Sequence, residues 1–164
     1  MSVFMDIKSS MYVGWWSAAS FHGFTTQKPA TVFVVVRRQT KARTIEGAEI
    51  RFVKVEPRKF FGAKRYSVYG RSTNISDPEK TVIDCIDRPD LAGGGAELAR
   101  IVHTAMAEID QTKLVDAAMP MKSTSLLQRL GWLVVEPPAT SGHGILHSHS
   151  HTHRSCYCAR RCNA

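Results

Sequence analysis

Four charged residues within eight positions are the clearest candidates for chemistry in this chain. Asp77, Glu79, Lys80 and Asp84 lie in the stretch S-D-P-E-K-T-V-I-D, which begins at residue 76. Carboxylates can hold a divalent metal ion, and a neighbouring lysine would suit a metal-dependent nuclease. Acids in the first turn of a helix also favour its dipole, however, and Lys80 and Asp84 have the spacing of an i,i+4 ion pair. We therefore interpret the cluster as structural and expect no enzymatic activity and no catalytic residue; a nuclease is the weakest alternative.

The same stretch predicts the start of a helix. Ser76 and Glu79 have the spacing of a capping box, in which each side chain accepts a hydrogen bond from the backbone N–H of the other residue. Pro78 suits the first turn, where its missing N–H is no loss. The apolar residues that follow indicate a buried face, and Pro89 predicts the end of the helix. Cys85 is expected to pack inside it as a small apolar residue.

A tail rich in histidine and cysteine is the second candidate for metal chemistry. Neutral imidazole and thiolate are ligands for zinc and related metals, but this tail lacks the paired clips of a structural zinc site. From Pro137 onward the hydrophobic periodicity is lost, so we predict a disordered tail over 137–164, without a metal site or cofactor. Its candidate ligands are His147, His149, His151, His153, Cys156, Cys158 and Cys162.

Two basic segments are the better candidates for a binding surface. The chain has a formal net charge of +8, and the region Lys28–Lys80 contains 13 Lys and Arg against 5 Asp and Glu. Such a surface can bind a phosphate backbone with bases stacked on aromatic rings, or an acidic protein, or it can merely solvate a rim around buried phenylalanines. The candidate binding residues are Arg37, Arg38, Lys41 and Arg43 in one predicted loop, and Arg58, Lys59, Lys64 and Arg65 around Phe60-Phe61-Gly62.

The elements that must position these residues indicate an α+β domain. A small, mostly antiparallel sheet comes first and a helical layer follows it. Strands are predicted over residues 31–36, 48–55, 66–69 and 72–75, with Gly70-Arg71 as a hairpin turn. Helices are predicted over residues 15–24, 96–109, 114–119 and 123–134, the last with Leu126, Leu127, Leu130 and Leu133 as its apolar stripe.

Length and hydropathy favour one domain in the cytoplasm. The chain has 164 residues, enough for a hydrophobic core. No apolar run approaches the roughly 20 residues that span a bilayer, and the first residues lack a signal-peptide core. His22 and His103 have no nucleophile at a recognisable spacing, so both are expected to pack or to cap helices.

The order and spacing of several short motifs carry a resemblance to a known family. From Tyr12 to Leu133 the chain resembles the AbiEi family, the antitoxins and transcriptional regulators of type IV toxin–antitoxin systems. The motifs that carry it are Gly14-Trp15-Trp16-Ser17-Ala18, His22-Gly23, Thr31-Val32-Phe33-Val34, Arg51-Phe52-Val53-Lys54, Pro57-Arg58-Lys59-Phe60-Phe61-Gly62 and Ser76 to Pro89.

This resemblance implies a role in phage defence by abortive infection. Family members typically join a winged helix, which binds the operon's promoter, to a C-terminal domain that counteracts a nucleotidyltransferase-like toxin without necessarily forming a stable complex. We expect a short segment at 1–11, too short for a winged helix, the antitoxin domain at 12–136 and the tail at 137–164. The alternative is a stand-alone nucleic-acid-binding module that uses the region Lys28–Lys80.

Overall fold

A mixed β-sheet forms the first half of the molecule. The computed structural model describes residues 10–45, 47–68 and 70–135. Within these ranges one sheet has six strands, which are β1 (Met11–Val13), β2 (Thr31–Val36), β3 (Arg43–Ile45), β4 (Ala48–Lys54), β5 (Ala63–Val68) and β6 (Arg71–Ser76). Their order across the sheet is β3-β4-β2-β1-β6-β5.

The strand pairings confirm the predicted fold class. The pairs β1–β2, β3–β4 and β5–β6 are antiparallel, whereas β1–β6 and β2–β4 are parallel. β2 has the predicted bounds and lies in the interior of the sheet. It is a β-branched and aromatic run, which suits a strand with neighbours on both sides.

The two shortest strands, β1 and β3, were not predicted. Each has three residues, too few for an alternating pattern to stand out. β3 corrects the predicted loop, because Arg43 is its first residue and pairs with Ile50. The hairpin prediction is confirmed, but its turn is not at Gly70-Arg71, because Arg71 is the first residue of β6 and pairs with Val68. Gly70 has a φ of +74°, a conformation that glycine adopts at low cost.

Five α-helices complete the described part of the chain. They are α1 (Trp15–Phe21), α2 (Pro78–Asp87), α3 (Gly95–Met106), α4 (Gln111–Ala118) and α5 (Thr124–Val135). α1 is shorter than predicted, and Gly23 follows its end with a φ of +80°. α2 ends two residues before Pro89, as predicted. None of the described helices is long and apolar enough to cross a membrane.

The main core lies between the helices and one face of the sheet. Tyr12, Phe33 and Val35 meet the buried faces of α2, α3, α4 and α5, whereas Val34 and Val36, which alternate with them, belong to a separate apolar cluster. The predicted stripe of α5 is wrong at one position, since Leu127 is 46% exposed while Leu126, Leu130 and Leu133 are buried. The predicted disorder and metal candidates of the tail lie outside the described residues.

Candidate interaction surface

The start of α2 corrects the predicted capping box. Ser76 is the last residue of β6, where it pairs with Ala63, and Asp77 is the N-cap residue without a side-chain hydrogen bond to the helix. The Ser76 hydroxyl instead lies 2.7 Å from the Thr81 hydroxyl. The strand thus continues one residue too far for Ser76 to cap the helix. Asp77 and Glu79 nevertheless lie at the positive end of the helix dipole, as predicted.

Lys80 and Asp84 form an ion pair, as predicted, but the pair is buried. Their side chains are 1% and 7% exposed. The Lys80 ammonium also lies 4.6 Å from the centroid of the Phe61 ring and 4.0 Å from the sulfur of Met121. Asp84 Oδ2 is buried without a hydrogen-bond partner among the described residues. The lysine side chain is therefore part of the core beneath Phe61 and is not presented to a substrate.

Burial raises the pKa of both aspartates in this cluster. Loss of water raises the pKa of Asp84, against the opposing attraction of Lys80. The pKa of Asp77 is also raised by burial, although Lys64 lowers it in part. Gly62 explains how the neighbouring loop comes so close, because its φ is +66° and a Cβ there would lie 3.0 Å from Lys80 Cβ. The charged cluster fixes this loop against α2.

Cys85 and His22, two other residues that could take part in chemistry, are packed within the domain. Cys85 is fully buried, as predicted, and burial raises its pKa. The His22 ring packs against the rings of Phe21, Phe24 and Tyr66, at centroid distances of 5.2, 5.5 and 5.9 Å. No three His, Cys, Asp or Glu residues in the described ranges are placed to hold a metal ion.

The two candidate histidines have different environments. His22 Nε2 lies 2.7 Å from the Ser76 carbonyl oxygen, to which it donates when that nitrogen carries the proton. Burial lowers the pKa of His22, opposed by this hydrogen bond. The packing prediction is confirmed for His22. His103 does not pack in the core, since it is exposed, and it lies in the last turn of α3.

Arg37 joins the two predicted basic segments. Its guanidinium carbon lies 4.5 Å from the centroid of the Phe60 ring, and the ring of Tyr12 is 5.1 Å from that of Phe60. A surface depression of about 240 Å³ opens beside this stack. Its lining residues are Met11, Tyr12, Arg37, Phe60, Phe61, Gly62, Ala63 and Asn74. Loop residue Arg37 and the aromatic segment thus share one surface.

Three of the candidate cations are already paired within the domain. Arg58 Nε lies 2.6 Å from Glu56 in an exposed pair, and Lys59 Nζ lies 2.6 Å from Asp87. The Lys59 side chain is only 20% exposed, so this pair ties the aromatic segment to α2. Lys64 Nζ lies 3.9 Å from Asp77, while its side chain is 66% exposed. Lys64 is therefore the most accessible of the three.

The other candidates form an exposed set. Arg38, Lys41, Arg43 and Arg65 are exposed and have no ion pair with any residue in the described ranges. Arg65 pairs in the sheet with Asn74, which lines the depression. Arg43 lies on β3, at the opposite end of the strand order from Arg65 on β5. The eight candidates therefore do not converge on one pocket.

The aromatic side chains of this surface are poor platforms for nucleobases. The Arg37 guanidinium lies over the Phe60 ring, and the Tyr12 ring packs against that ring as well. The Lys80 ammonium lies over the Phe61 ring. Both phenylalanines are partly buried against the main core. Because stacking needs an accessible ring face, these two rings leave little surface for a nucleobase.

Sequence reasoning missed several residues of the surface. Met11, Tyr12 and Asn74 line the depression, although they come from two strands that are distant in sequence. The burial of Lys80 was also missed, since lysine is rarely buried. Its spacing from Asp84 among Val82, Ile83 and other apolar residues was the signal that could have revealed it.

Comparison with protein families identifies the domain. A search of curated proteins gave no match. The family model for the AbiEi antitoxin C-terminal domain matches residues 12–136. The match covers most of the chain. It includes every described helix and every described strand except Met11, the first residue of β1. The chain therefore belongs to the AbiEi antitoxin C-terminal domain family.

Proposed function

We propose that this domain counteracts a nucleotidyltransferase-like toxin in an abortive-infection system of phage defence. The observation that carries the proposal is the family match over residues 12–136. The antitoxin role follows from the family, and the type of toxin follows from the resemblance of the sequence motifs. In this proposal the domain acts in the cytoplasm as residues 12–136, and residues 137–164 are a separate tail.

The domain acts without catalysis in this account. Support comes from α2, where Lys80 pairs with Asp84 beneath Phe61 and both charges are removed from the surface. Asp77 is the N-cap residue of α2, and Glu79 lies in its first turn. Each residue of the former nuclease candidate thus has a structural role.

The exposed cations are the proposed contact surface. Arg38, Lys41, Arg43 and Arg65 are exposed and have no ion pair among the described residues, so they can attract an anionic partner, and Arg37 extends this surface to the depression. Unpaired charges at a surface speed association with a complementary partner and help to select it. Transcriptional regulation, which is the other role of the family, would depend on the same exposed cations in this proposal.

Bacterial growth tests the proposed function. A nucleotidyltransferase-like toxin would be induced alone, with the full chain, and with a version that ends at residue 136. We expect both forms to restore growth, because the family match ends at that residue. Growth arrest that persists with soluble chain present would contradict the proposal.

A stand-alone nucleic-acid-binding module is the second candidate. The observation that favours it is the unpaired state of Arg38, Lys41, Arg43 and Arg65 within the described ranges. Binding to phosphate backbones releases counterions, so affinity would fall steeply with salt. Replacing Arg38, Lys41, Arg43 and Arg65 together would remove this binding. An affinity for nucleic acid that does not change with salt concentration would exclude this candidate.

A further inference from the structure

We propose that β5 receives an extended acidic segment of a protein partner as an additional strand of the sheet. β5 ends the strand order and pairs only with β6 among the described strands. A six-residue strand is about 20 Å long. An edge strand exposes backbone N–H and C=O groups along its free side, and these groups can pair with another chain.

The geometry of β5 suits such pairing. All six residues from Ala63 to Val68 pair one-to-one with β6, without a bulge that would twist the edge away. The strand contains no proline, so every residue keeps its backbone N–H. β3, the strand at the other edge of the described sheet, has only three residues. β5 is therefore the better template.

One face of β5 is held firmly by the domain. Val68 is buried with Val13 and Ile75, and the Tyr66 ring lies 5.0 Å from that of Phe21. An incoming strand would meet a fixed backbone, which reduces the entropy lost on binding.

Charge selects the kind of segment that can bind. The hairpin from Ala63 to Ser76 carries Lys64, Arg65 and Arg71 and no acidic residue. These cations oppose pairing of the edge with a second copy of itself, because antiparallel pairing would bring like charges together. An acidic segment would instead place carboxylates opposite Lys64 and Arg65. Lys64 remains available, because its contact with Asp77 is long and its side chain is 66% exposed.

The surroundings favour a protein segment over a nucleic acid. The rings of Phe60 and Phe61 are covered by Arg37 and Lys80, which leaves poor stacking surfaces beside the strand. The depression beside them reaches Ala63, the first residue of β5. The inference rests on the proposed function, since the counteracted protein is the expected source of the segment.

Binding of a designed peptide tests strand addition. The probe is a capped ten-residue peptide of alternating glutamate and valine, titrated into the full chain while the backbone amide signals of β5 are followed by NMR. We expect saturable shifts in β5 and no comparable binding of a lysine–valine peptide. Two further peptides carry backbone N-methyl groups on alternate residues, one on its glutamates and the other on its valines. Both keep the charge of the first peptide but lose half of its N–H donors. We expect at least about tenfold weaker binding for one of the two forms, since several ladder hydrogen bonds disappear.

Matched variants separate the edge from general charge. Consecutive side chains of a strand point to opposite faces, so the glutamates of the alternating peptide, which share one face, meet either Lys64 or Arg65. Lys64→Glu with Arg65→Glu should weaken the peptide at least about tenfold, because in either register it replaces an attractive by a repulsive cross-strand pair. Lys28→Glu with Lys122→Glu makes the same change in charge at exposed residues outside the hairpin and should leave affinity within about twofold. Amide spectra would verify that both variants are folded.

Three results would overturn the inference. They are no binding of the glutamate–valine peptide, equal binding of both N-methylated forms, and equal weakening by the two pairs of substitutions. Binding of a single-stranded oligonucleotide that depends on Lys64 and Arg65, without peptide binding, would assign the edge to nucleic acid instead. Growth rescue without peptide binding would refute only this inference, whereas edge-dependent peptide binding without rescue would refute only the proposed function.

Discussion

The α2 cluster and the basic surface use the same kinds of residue for opposite purposes. In the cluster, Lys80 and Asp84 neutralise each other in the core, under the ring of Phe61. On the surface, Arg38 and Lys41 have no acidic partner in the described ranges and face solvent. A charge that is buried and paired constrains the fold, whereas an exposed, unpaired charge remains able to attract a partner.

The two regions are also physically connected. Phe60 contacts Arg37 on the surface side, and the next residue, Phe61, contacts Lys80 on the core side. Lys59 adds an ion pair to Asp87 of α2. The buried cluster thus positions the loop that carries part of the basic surface.

Removing one buried charge should have the largest effect. Asp84→Ala leaves the Lys80 ammonium without its partner, and breaking a buried ion pair in this way costs about 3–5 kcal/mol. The double variant Lys80→Met, Asp84→Leu removes both charges and should recover most of that loss. Chemical denaturation measures both free energies of unfolding. A loss below about 1 kcal/mol in the single variant would contradict the structural role of the pair.

Adding a methyl group at Gly62 should have the next largest effect. Gly62→Ala forces a left-handed backbone on alanine, at a cost of about 1–2 kcal/mol, and its Cβ would also press on Lys80. Gly70→Ala is the matched control, because Gly70 has a φ of +74° and open space around its Cβ position. Thermal denaturation should show a greater loss for Gly62→Ala. Equal losses would mean that the contact with Lys80 is unimportant.

His22 should contribute a smaller, pH-dependent effect. Because burial lowers its pKa below the ordinary 6.5, the unfolded chain binds the proton more readily. The contribution of His22 is therefore complete above pH 6.5 and is lost as the pH falls toward the lowered pKa of the folded state. His22→Gln keeps a donor for the Ser76 carbonyl but does not titrate. Denaturation between about pH 5 and 7 should show a flatter slope for the variant, and an unchanged slope would contradict the assignment.

Neutralising the exposed cations should change stability least. Single substitutions of Arg38, Lys41 or Arg65 by Gln should alter the free energy of unfolding by no more than about 0.5 kcal/mol, since these residues make no described ion pair. Chemical denaturation under the conditions used for Asp84→Ala provides the comparison. A loss above about 1 kcal/mol at any of them would show that its charge belongs to the fold.

Elements of this fold that have a strong local sequence pattern could be predicted from the sequence. β2 has its predicted bounds because six β-branched and aromatic residues specify a buried strand. Its parallel pairing with β4, and the strand order, arise from contacts between distant residues and leave no local pattern. Ser76 shows the limit at an element boundary, because a local capping motif yields to pairing with Ala63 in the sheet.

The candidate surface was predictable in composition but not in arrangement. The basic segments were recognisable, yet only the fold distinguishes Lys59, paired with Asp87, from Arg65, which is exposed and has no ion pair among the described residues. The edge position of β5 was likewise hidden, because sequence alone does not say which strand lacks a neighbour. Leu127 shows the same limit, since its helical spacing is that of a buried residue although it is exposed.

Growth rescue by charge variants tests the central claim most directly. One variant replaces Arg38, Lys41, Arg43 and Arg65 by Gln, and its matched control replaces Lys28, Arg51, Lys54 and Lys122, which are also exposed and make no described ion pair. With the nucleotidyltransferase-like toxin induced and protein levels equal, we expect the control to restore growth and the first variant to fail. Equal rescue by both would contradict the claim that the exposed cations are the functional surface.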